Sequence, residues 1–504
     1  MDDKTADKAP SDVSRTPGDS DLEDAAHVDE KALMRKIDMR LLPGVTLLYL
    51  MSFLDRSNVS NARIEGLTDD TNMTGNQYLT GLTLFFIGYV LFEIPCNVVL
   101  KRTTPRFWLP TLTIVFGIVA TLLGVVQSME GFFVARFALG VAECGIFPGV
   151  VSINRHIGSW RSGLTDTQVF YFSLWYQRKE RQFRIALFFS AAAFAGAFGG
   201  ILAFGIAKMD EVGGLSGWRW IFILEGILTV LVGASAYLFI TNYPATSKFL
   251  TPSENRAAEH RLAIDSDSAG EEQFSWHNAL QAAKDPKCWL YAGGFHFMSL
   301  PLYTLSLFMP TIIRDLGYSS ARAQLLTIPP YAFATMLTVL TAWHSERQGR
   351  RAPYLCASAL LAAIGYCILL GNTDPTARPG MSYAGTFIAA AGIYPATGLV
   401  LSWPAVNVGG QTKRAVANAL QISIGNCGAV IGTQLYRTED SPRYIVGHSV
   451  ALAYTIMSAS LTLFTWWYLT RENKKKDVVQ PGDGVVGGAG GLRGDDDPKW
   501  RFML

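Results

Sequence analysis

The sequence predicts an all-α membrane protein with twelve transmembrane helices in two six-helix bundles. Twelve apolar stretches, most of them near bilayer length, fall six before and six after a polar segment at Tyr243–Lys287. The composition agrees, with 49% hydrophobic and only 17% charged residues, against roughly 25% charged in a soluble domain. A helix crossing about 30 Å of hydrocarbon needs about 20 mostly apolar residues, because lipid leaves no partner for an open backbone group.

The expected spans are 38–60, 79–99, 107–127, 131–150 and beyond, 183–207, 218–240, 288–313, 323–343, 353–371, 381–401, 415–436 and 448–470. The first and seventh carry charge or proline and are included partly because the six-plus-six pattern requires them. The corresponding units are an N-terminal bundle over 37–240, a linker over 241–287 and a C-terminal bundle over 288–470. Residues 1–36 are polar and acidic with no apolar leader core, and 471–504 turn Lys-rich, then Gly- and Asp-rich. Both ends are expected to be disordered tails.

Lys and Arg collect in alternate loops, which orients the chain. One set holds Lys101, Arg102 and Arg106; Arg178, Lys179, Arg181 and Arg184; Arg347, Arg350 and Arg351; and Lys413 and Arg414. Placing these inside puts both termini and the linker in the cytoplasm and leaves Asn72-Met73-Thr74, a glycosylation sequon, in the first outside loop. A net charge of +2 with no basic cluster among aromatics gives no nucleic-acid signal. Cys96, Cys144, Cys288, Cys356, Cys367 and Cys427 lie in or beside spans without metal-ligand spacing, and read as small apolar residues. No nucleophile–base pair or metal set appears in the loops, so an enzyme is not expected, nor a cofactor.

Ionisable groups inside spans are costly and are functional candidates by default. In span one, Asp55 and Arg56 are adjacent and point about 100° apart, so they cannot simply neutralise each other. From position alone, they could also end the helix at the outer surface. In span two, Glu93 precedes Pro95 and is either a gate or a helix-end cap. In span four, Arg136 and Glu143 are seven apart and share a face across Gly140. Glu143 near mid-membrane could carry a proton, or could form a permanent salt bridge with Arg136 or another helix. Glu225 in span six reads as a structural tie. His296 in span seven is either a proton or carboxylate partner or a satisfied core residue, and Tyr303 on the same face could stack on an aromatic acid. In span eleven, Asn418 and Gln421 either line a cavity or bind neighbouring helices. Gly196, Gly199 and Gly200 let span five pack closely.

Several motifs resemble one family. They are Leu54-Asp55-Arg56-Ser57-Asn58-Val59, Phe92-Glu93-Ile94-Pro95, Arg136 through Glu143, Trp175-Tyr176, Gly217-Trp218-Arg219-Trp220 with Glu225-Gly226, and Asn242-Tyr243-Pro244. The loop Glu346-Arg347-Gln348-Gly349-Arg350-Arg351 matches the acid-Arg-x-Gly-Arg-Arg loop of the major facilitator superfamily, while the first-half copy has Lys101 where the acid would sit. Over roughly 37–470 the chain resembles the fungal anion:cation symporters, the allantoate, nicotinate and pantothenate permeases, and is most similar to the high-affinity nicotinate group.

The resemblance implies a monomeric carrier in the plasma membrane that imports a small organic anion with protons. It places Arg56 and Asn58 on a central cavity, with Arg56 meeting a substrate carboxylate through its planar fork. His296, Tyr303, Asn418 and Gln421 complete the expected binding set. Glu143, Asp55 and Arg136 form the expected proton-coupling set, and Glu93, Glu346, Arg347 and Arg350 the gates. Ala197 follows Gly196 where the superfamily's antiporters have a Gly-Pro pair, which favours uptake. Alternatives are an allantoate or pantothenate symporter, or a non-transporting nutrient sensor. One stretch breaks the resemblance: residues 151–168 are polar and without helical period, and joining Val150 to Val169 restores it. That segment is expected to be a retained intron or an insertion.

Overall fold

The computed structural model describes residues 28–100, 103–145, 172, 175–242, 244, 247–264, 276–478, 495 and 500–504. Each expected span contains a long helix. In the first half these are α1 (Glu30–Ile64), α2 (Gly75–Leu100), α3 (Pro105–Leu123), α4 (Met129–Glu143), α5 (Arg178–Ile206) and α6 (Gly217–Phe239). The second half contributes α7 (Pro286–Asp315), α8 (Ser320–Gln348), α9 (Ala352–Gly371), α10 (Pro379–Asn407), α11 (Gln411–Gly432) and α12 (Ile445–Val478). Among the described residues, ten of these helices are long and apolar enough to cross a membrane. The segment 151–168 lies outside the described residues.

Local chemistry sets the helix ends. Asp29, Ser128 and Asp285 accept the orphan amides of Lys31, Gly131 and Lys287 at 3.0, 3.2 and 2.9 Å, and Pro105, Pro286 and Pro379 start helices where no N–H is needed. Gly349 ends α8 with φ 64°, a left-handed conformation that glycine adopts without a Cβ penalty. Leu122, Leu231, Leu238, Ile364 and Trp467 remain exposed on the bundle surface, as a lipid-facing wall requires.

The two halves repeat one packing scheme. The pairs α1/α5, α1/α6, α2/α4, α3/α4 and α3/α6 each recur six helices later as α7/α11, α7/α12, α8/α10, α9/α10 and α9/α12. Across the halves, α1 meets α7, α5 meets α8, and α2 meets α11. Small residues make these approaches possible. A Cβ on Gly196 would sit 2.7 Å from the Tyr331 ring of α8, and one on Gly200 would sit 2.6 Å from Thr327 Oγ1.

The linker helix Pro252–Ile264 is tied to the first half, with Lys36 to Glu254 at 2.6 Å and Arg261 to Glu30 and Glu180 at 2.6 and 2.7 Å. Of the expected C-terminal tail over 471–504, the described residues are 471–478, 495 and 500–504. α12 continues to Val478, and Asp495 and Trp500–Leu504 pack against the linker-side end of the second half. Asn407 and Met503 exchange reciprocal hydrogen bonds of 2.8 Å, as Asn473 and Phe502 do at 2.9 and 2.8 Å. The Asp495 carboxylate meets Lys287 at 2.8 Å and Lys413 at 2.9 Å. The composition of the tail is unfavourable for order, but buried Trp500 and Phe502 supply the apolar anchors that it lacks elsewhere.

Candidate functional site

Tyr49, Ser52 and Arg56 share one face of α1 by their spacing of three and seven residues. Arg56 is 4% exposed. Its Nε donates to Glu143 Oε1 of α4 at 2.6 Å, and its Nη1 donates to the phenol oxygen of Tyr303 of α7 at 2.8 Å. The Ser52 hydroxyl donates to the same Glu143 oxygen. The guanidinium carbon lies 5.2 Å from the Tyr89 ring centre, 5.5 Å from Phe85 and 5.8 Å from Tyr303, in range for cation–π attraction.

Beside this group is a small cavity between the halves, lined by Tyr49, Arg56, Tyr89, Phe189, Phe295, Tyr303 and Asn426 with aliphatic neighbours. Aromatic rings surround the one guanidinium on this side. The second oxygen of Glu143, Oε2, has no hydrogen-bond partner among the described residues. A buried carboxylate held on one oxygen and open on the other is stabilised mainly by its cation, so losing Arg56 would leave it uncompensated.

Of the expected binding residues, Arg56 and Tyr303 line this cavity. Asn58 turns instead to α6, where its amide donates to Glu225 Oε2. His296 bonds through Nδ1 to the Ile424 carbonyl at 2.9 Å and packs at a tilt against Tyr454, outside the cavity lining. Gln421 donates to the Val400 carbonyl at 3.0 Å, binding a neighbouring helix, and Asn418 is buried outside the lining. Of the coupling set, Glu143 is in the site, but its partner is Arg56 rather than Arg136. Arg136 is 1% exposed, lies 4.9 Å from the Phe85 ring and has no ion pair among the described residues. Asp55 faces α6 and accepts from the Thr229 hydroxyl at 3.4 Å.

Glu93 bridges the halves, accepting from Ser423 of α11 at 3.1 Å. At the end of α1 opposite the linker, Arg63 reaches Thr438 at 3.3 Å, Gln324 donates to Glu65 at 2.9 Å, and Ser320 donates to the Ile64 carbonyl at 2.8 Å. Both halves are therefore stitched on that side. Glu346 forms no ion pair with Arg347 or Arg350 among the described residues, and Arg347 rests on Trp343 at 4.0 Å.

The aromatic residues Tyr49, Phe85, Tyr89, Phe189 and Phe295 were not singled out from sequence. Their signal is the helical spacing of Tyr49 with Arg56 and of Phe85 with Tyr89, which is indistinguishable from ordinary core packing until the rotation of each helix is known.

Comparison with known proteins gives one consistent result. A family model described as Major Facilitator Superfamily matches residues 45–433. An MFS-type transporter cnsO of Penicillium expansum is 35% identical over 94% of this chain and 90% of its own length. A high-affinity nicotinic acid transporter of Saccharomyces cerevisiae is 31% identical over 93% of this chain and 83% of its own. Among solved structures, a proton:xylose symporter superposes with a TM-score of 0.62 at 15% identity, over 85% of this chain and 95% of that one. A bacterial homologue of the lysosomal transporter Spinster gives 0.61 at 16% identity, over 90% and 100%.

Proposed function

The chain belongs to the Major Facilitator Superfamily and is a multi-pass membrane transporter, and we propose that it imports a small organic anion, nicotinate or a related vitamin carboxylate, together with protons. The observation that carries this reading is the buried Arg56, held by Glu143 and Tyr303 inside an aromatic cavity at the junction of the two halves. The relative that transports nicotinic acid supports the choice of substrate.

In the proposed cycle Glu143 stands in for the substrate carboxylate. A proton added to Glu143 weakens its hold on Arg56, and the incoming carboxylate takes over the freed guanidinium bonds. The aromatic rings then cover the substrate ring, and Tyr303 reports occupancy to the second half. Rocking of the halves exposes the site to the other side, where loss of the proton restores the Arg56–Glu143 pair and expels the anion. Glu93 and the loop holding Glu346, Arg347 and Arg350 act as contacts made in one conformation and broken in another. The distribution of basic loops supports cytoplasmic placement of both termini, and an uptake carrier of this kind would work in the plasma membrane.

The test is uptake of labelled nicotinate at acidic and neutral pH in cells lacking their own permease, expressing the chain with and without 151–168. Saturable uptake that is faster at acidic pH supports the proposal. Surface-expressed protein that moves allantoate or pantothenate instead would replace the substrate, and no uptake of any of them would favour a sensor.

A further inference from the structure

Two of the six cysteines meet. Cys96 of α2 and Cys144, the residue that caps the end of α4, are 48 positions apart in the chain, and their sulfurs lie 3.2 Å from each other. Each stands alone in its own span, so spacing in the sequence gives no sign of the pair. The Cys144 thiol donates toward Cys96 Sγ and toward the Val141 carbonyl, the latter at 3.0 Å. Among the described residues no other two cysteines are in contact.

Backbone packing sets this contact. A Cβ on Gly88 of α2 would sit 2.7 Å from the Phe137 carbonyl oxygen of α4, and one on Gly140 of α4 would press on the Phe85 carbonyl of α2. Both helices run on from that close crossing toward the linker side, and their next residues to meet are Cys96 and Cys144. Trp108 of α3 donates to the Gly145 carbonyl at 3.1 Å, which holds the chain just past Cys144. A disulfide has its sulfurs about 2.05 Å apart, so an approach of about 1 Å closes the bond. Cys96 is partly exposed and Cys144 is buried, the order in which a first and a second thiol would react.

We propose that Cys96 and Cys144 form an oxidisable dithiol, a modification site that a hydroperoxide converts into a disulfide tying α2 to α4. The Cys96 sulfur attacks one oxygen of hydrogen peroxide, the O–O bond breaks, and one water leaves as the sulfenic acid forms. The Cys144 sulfur then attacks the Cys96 sulfur, its proton joins the departing hydroxide, and a second water leaves. The two thiols together lose two electrons and two protons, and the peroxide takes both. Contact between the sulfurs makes the second step intramolecular, which favours it over further oxidation of Cys96. The pair lies toward the basic 101–106 loop, the side proposed to face the reducing cytoplasm, so it rests as two thiols and bridges only under oxidant.

The bridge would sit beside two groups of the transport machinery. Glu93, one turn before Cys96, accepts from Ser423 of the second half, and Glu143, directly before Cys144, holds Arg56. Fixing both restrains contacts that the proposed cycle must release, so oxidation lowers uptake. That consequence rests on the proposed function; the dithiol itself does not.

The first test needs no substrate and no variant. Purified full-length protein in lipid is exposed to hydrogen peroxide, remaining thiols are alkylated, and peptides are analysed by mass spectrometry without reductant. The expected product is a linked pair of peptides holding Cys96 and Cys144, lighter by two hydrogens than the free peptides and separated again by dithiothreitol. Absence of that pair, or Cys96 carried on to sulfinic acid beside a free Cys144, overturns the proposal. The second arm measures uptake of labelled nicotinate after brief peroxide treatment of cells. Uptake should fall severalfold in wild type, recover with dithiothreitol, and be spared in Cys96→Ala at matched surface expression. An equal loss in Cys96→Ala, or no loss once the bridge is complete, overturns the link to transport. If nicotinate is not carried at all, only the second arm fails, and the peptide result still decides the dithiol.

Discussion

Arg56 of α1 donates a 2.8 Å hydrogen bond to the phenol of Tyr303 of α7, so the buried cation of one bundle is tied directly to the other. In the proposed cycle the rocking halves alter this bond, so we read Tyr303 as a coupling element as well as a wall of the proposed site. A hydrogen bond to a charged group contributes about 1.5–3 kcal/mol. Tyr303→Phe keeps the ring and removes only that bond, and should raise KM for uptake about tenfold or more with surface expression unchanged.

Glu143 accepts from both Arg56 and Ser52 on one oxygen. Glu143→Gln keeps the shape and removes the charge that, in the proposed cycle, competes with the substrate carboxylate for Arg56. Binding of labelled nicotinate to the purified variant should persist and lose its dependence on pH, while acid-stimulated uptake disappears. Binding that keeps the wild-type pH profile would assign the proton elsewhere.

Gly140 is the point where α4 closes on α2. A Cβ there would fall inside the van der Waals shell of the Phe85 carbonyl oxygen and near the Tyr89 amide. Gly140→Val should therefore destabilise by about 1–3 kcal/mol or more through overpacking, seen as a lower melting temperature in detergent. Gly205→Ala, where nothing lies within 4 Å, is the matched control and should melt as wild type.

Burial alone would raise the Asp495 carboxyl, but the ammonium groups of Lys287 and Lys413 hold it below its ordinary value. A lowered folded-state value means that this pairing stabilises the docked end fully above about pH 3.9 and is lost as the pH falls through the folded value. At neutral pH the contact is intact. Asp495→Asn removes one of two carboxylates from a buried network in which Lys287 and Lys413 also pair with Asp285 at 3.3 and 2.8 Å, so the loss should fall below the roughly 3–5 kcal/mol of a fully broken buried pair. Faster hydrogen exchange across 500–504, with no change in the bundle helices, is the expected result.

The helical architecture was legible because lipid allows few solutions: a run of apolar residues near bilayer length must be a helix, and all twelve runs contain one. Arg56, Glu143 and Tyr303 were legible as isolated costly or aromatic residues inside spans. Their pairing was not. Arg136 and Glu143 share a face by sequence, yet Glu143 bonds to Arg56 of α1, because the rotation of α4 is set by its packing on α2 at Gly140 and Gly88 rather than by spacing within α4. Asn58 and Gln421 look alike in sequence as buried amides, and both are used to bind adjacent helices. The docked end was hidden by its Gly- and Asp-rich composition, which outweighs two aromatic anchors in any reading by average.

The central claim is that Arg56 receives the substrate carboxylate. Saturable uptake of labelled nicotinate at acidic pH, compared between wild type and Arg56→Lys at matched surface expression, tests it most directly. Lysine keeps the charge and loses the planar fork, so a fall of about tenfold or more in kcat/KM is predicted. Uptake by Arg56→Lys equal to wild type would contradict the account.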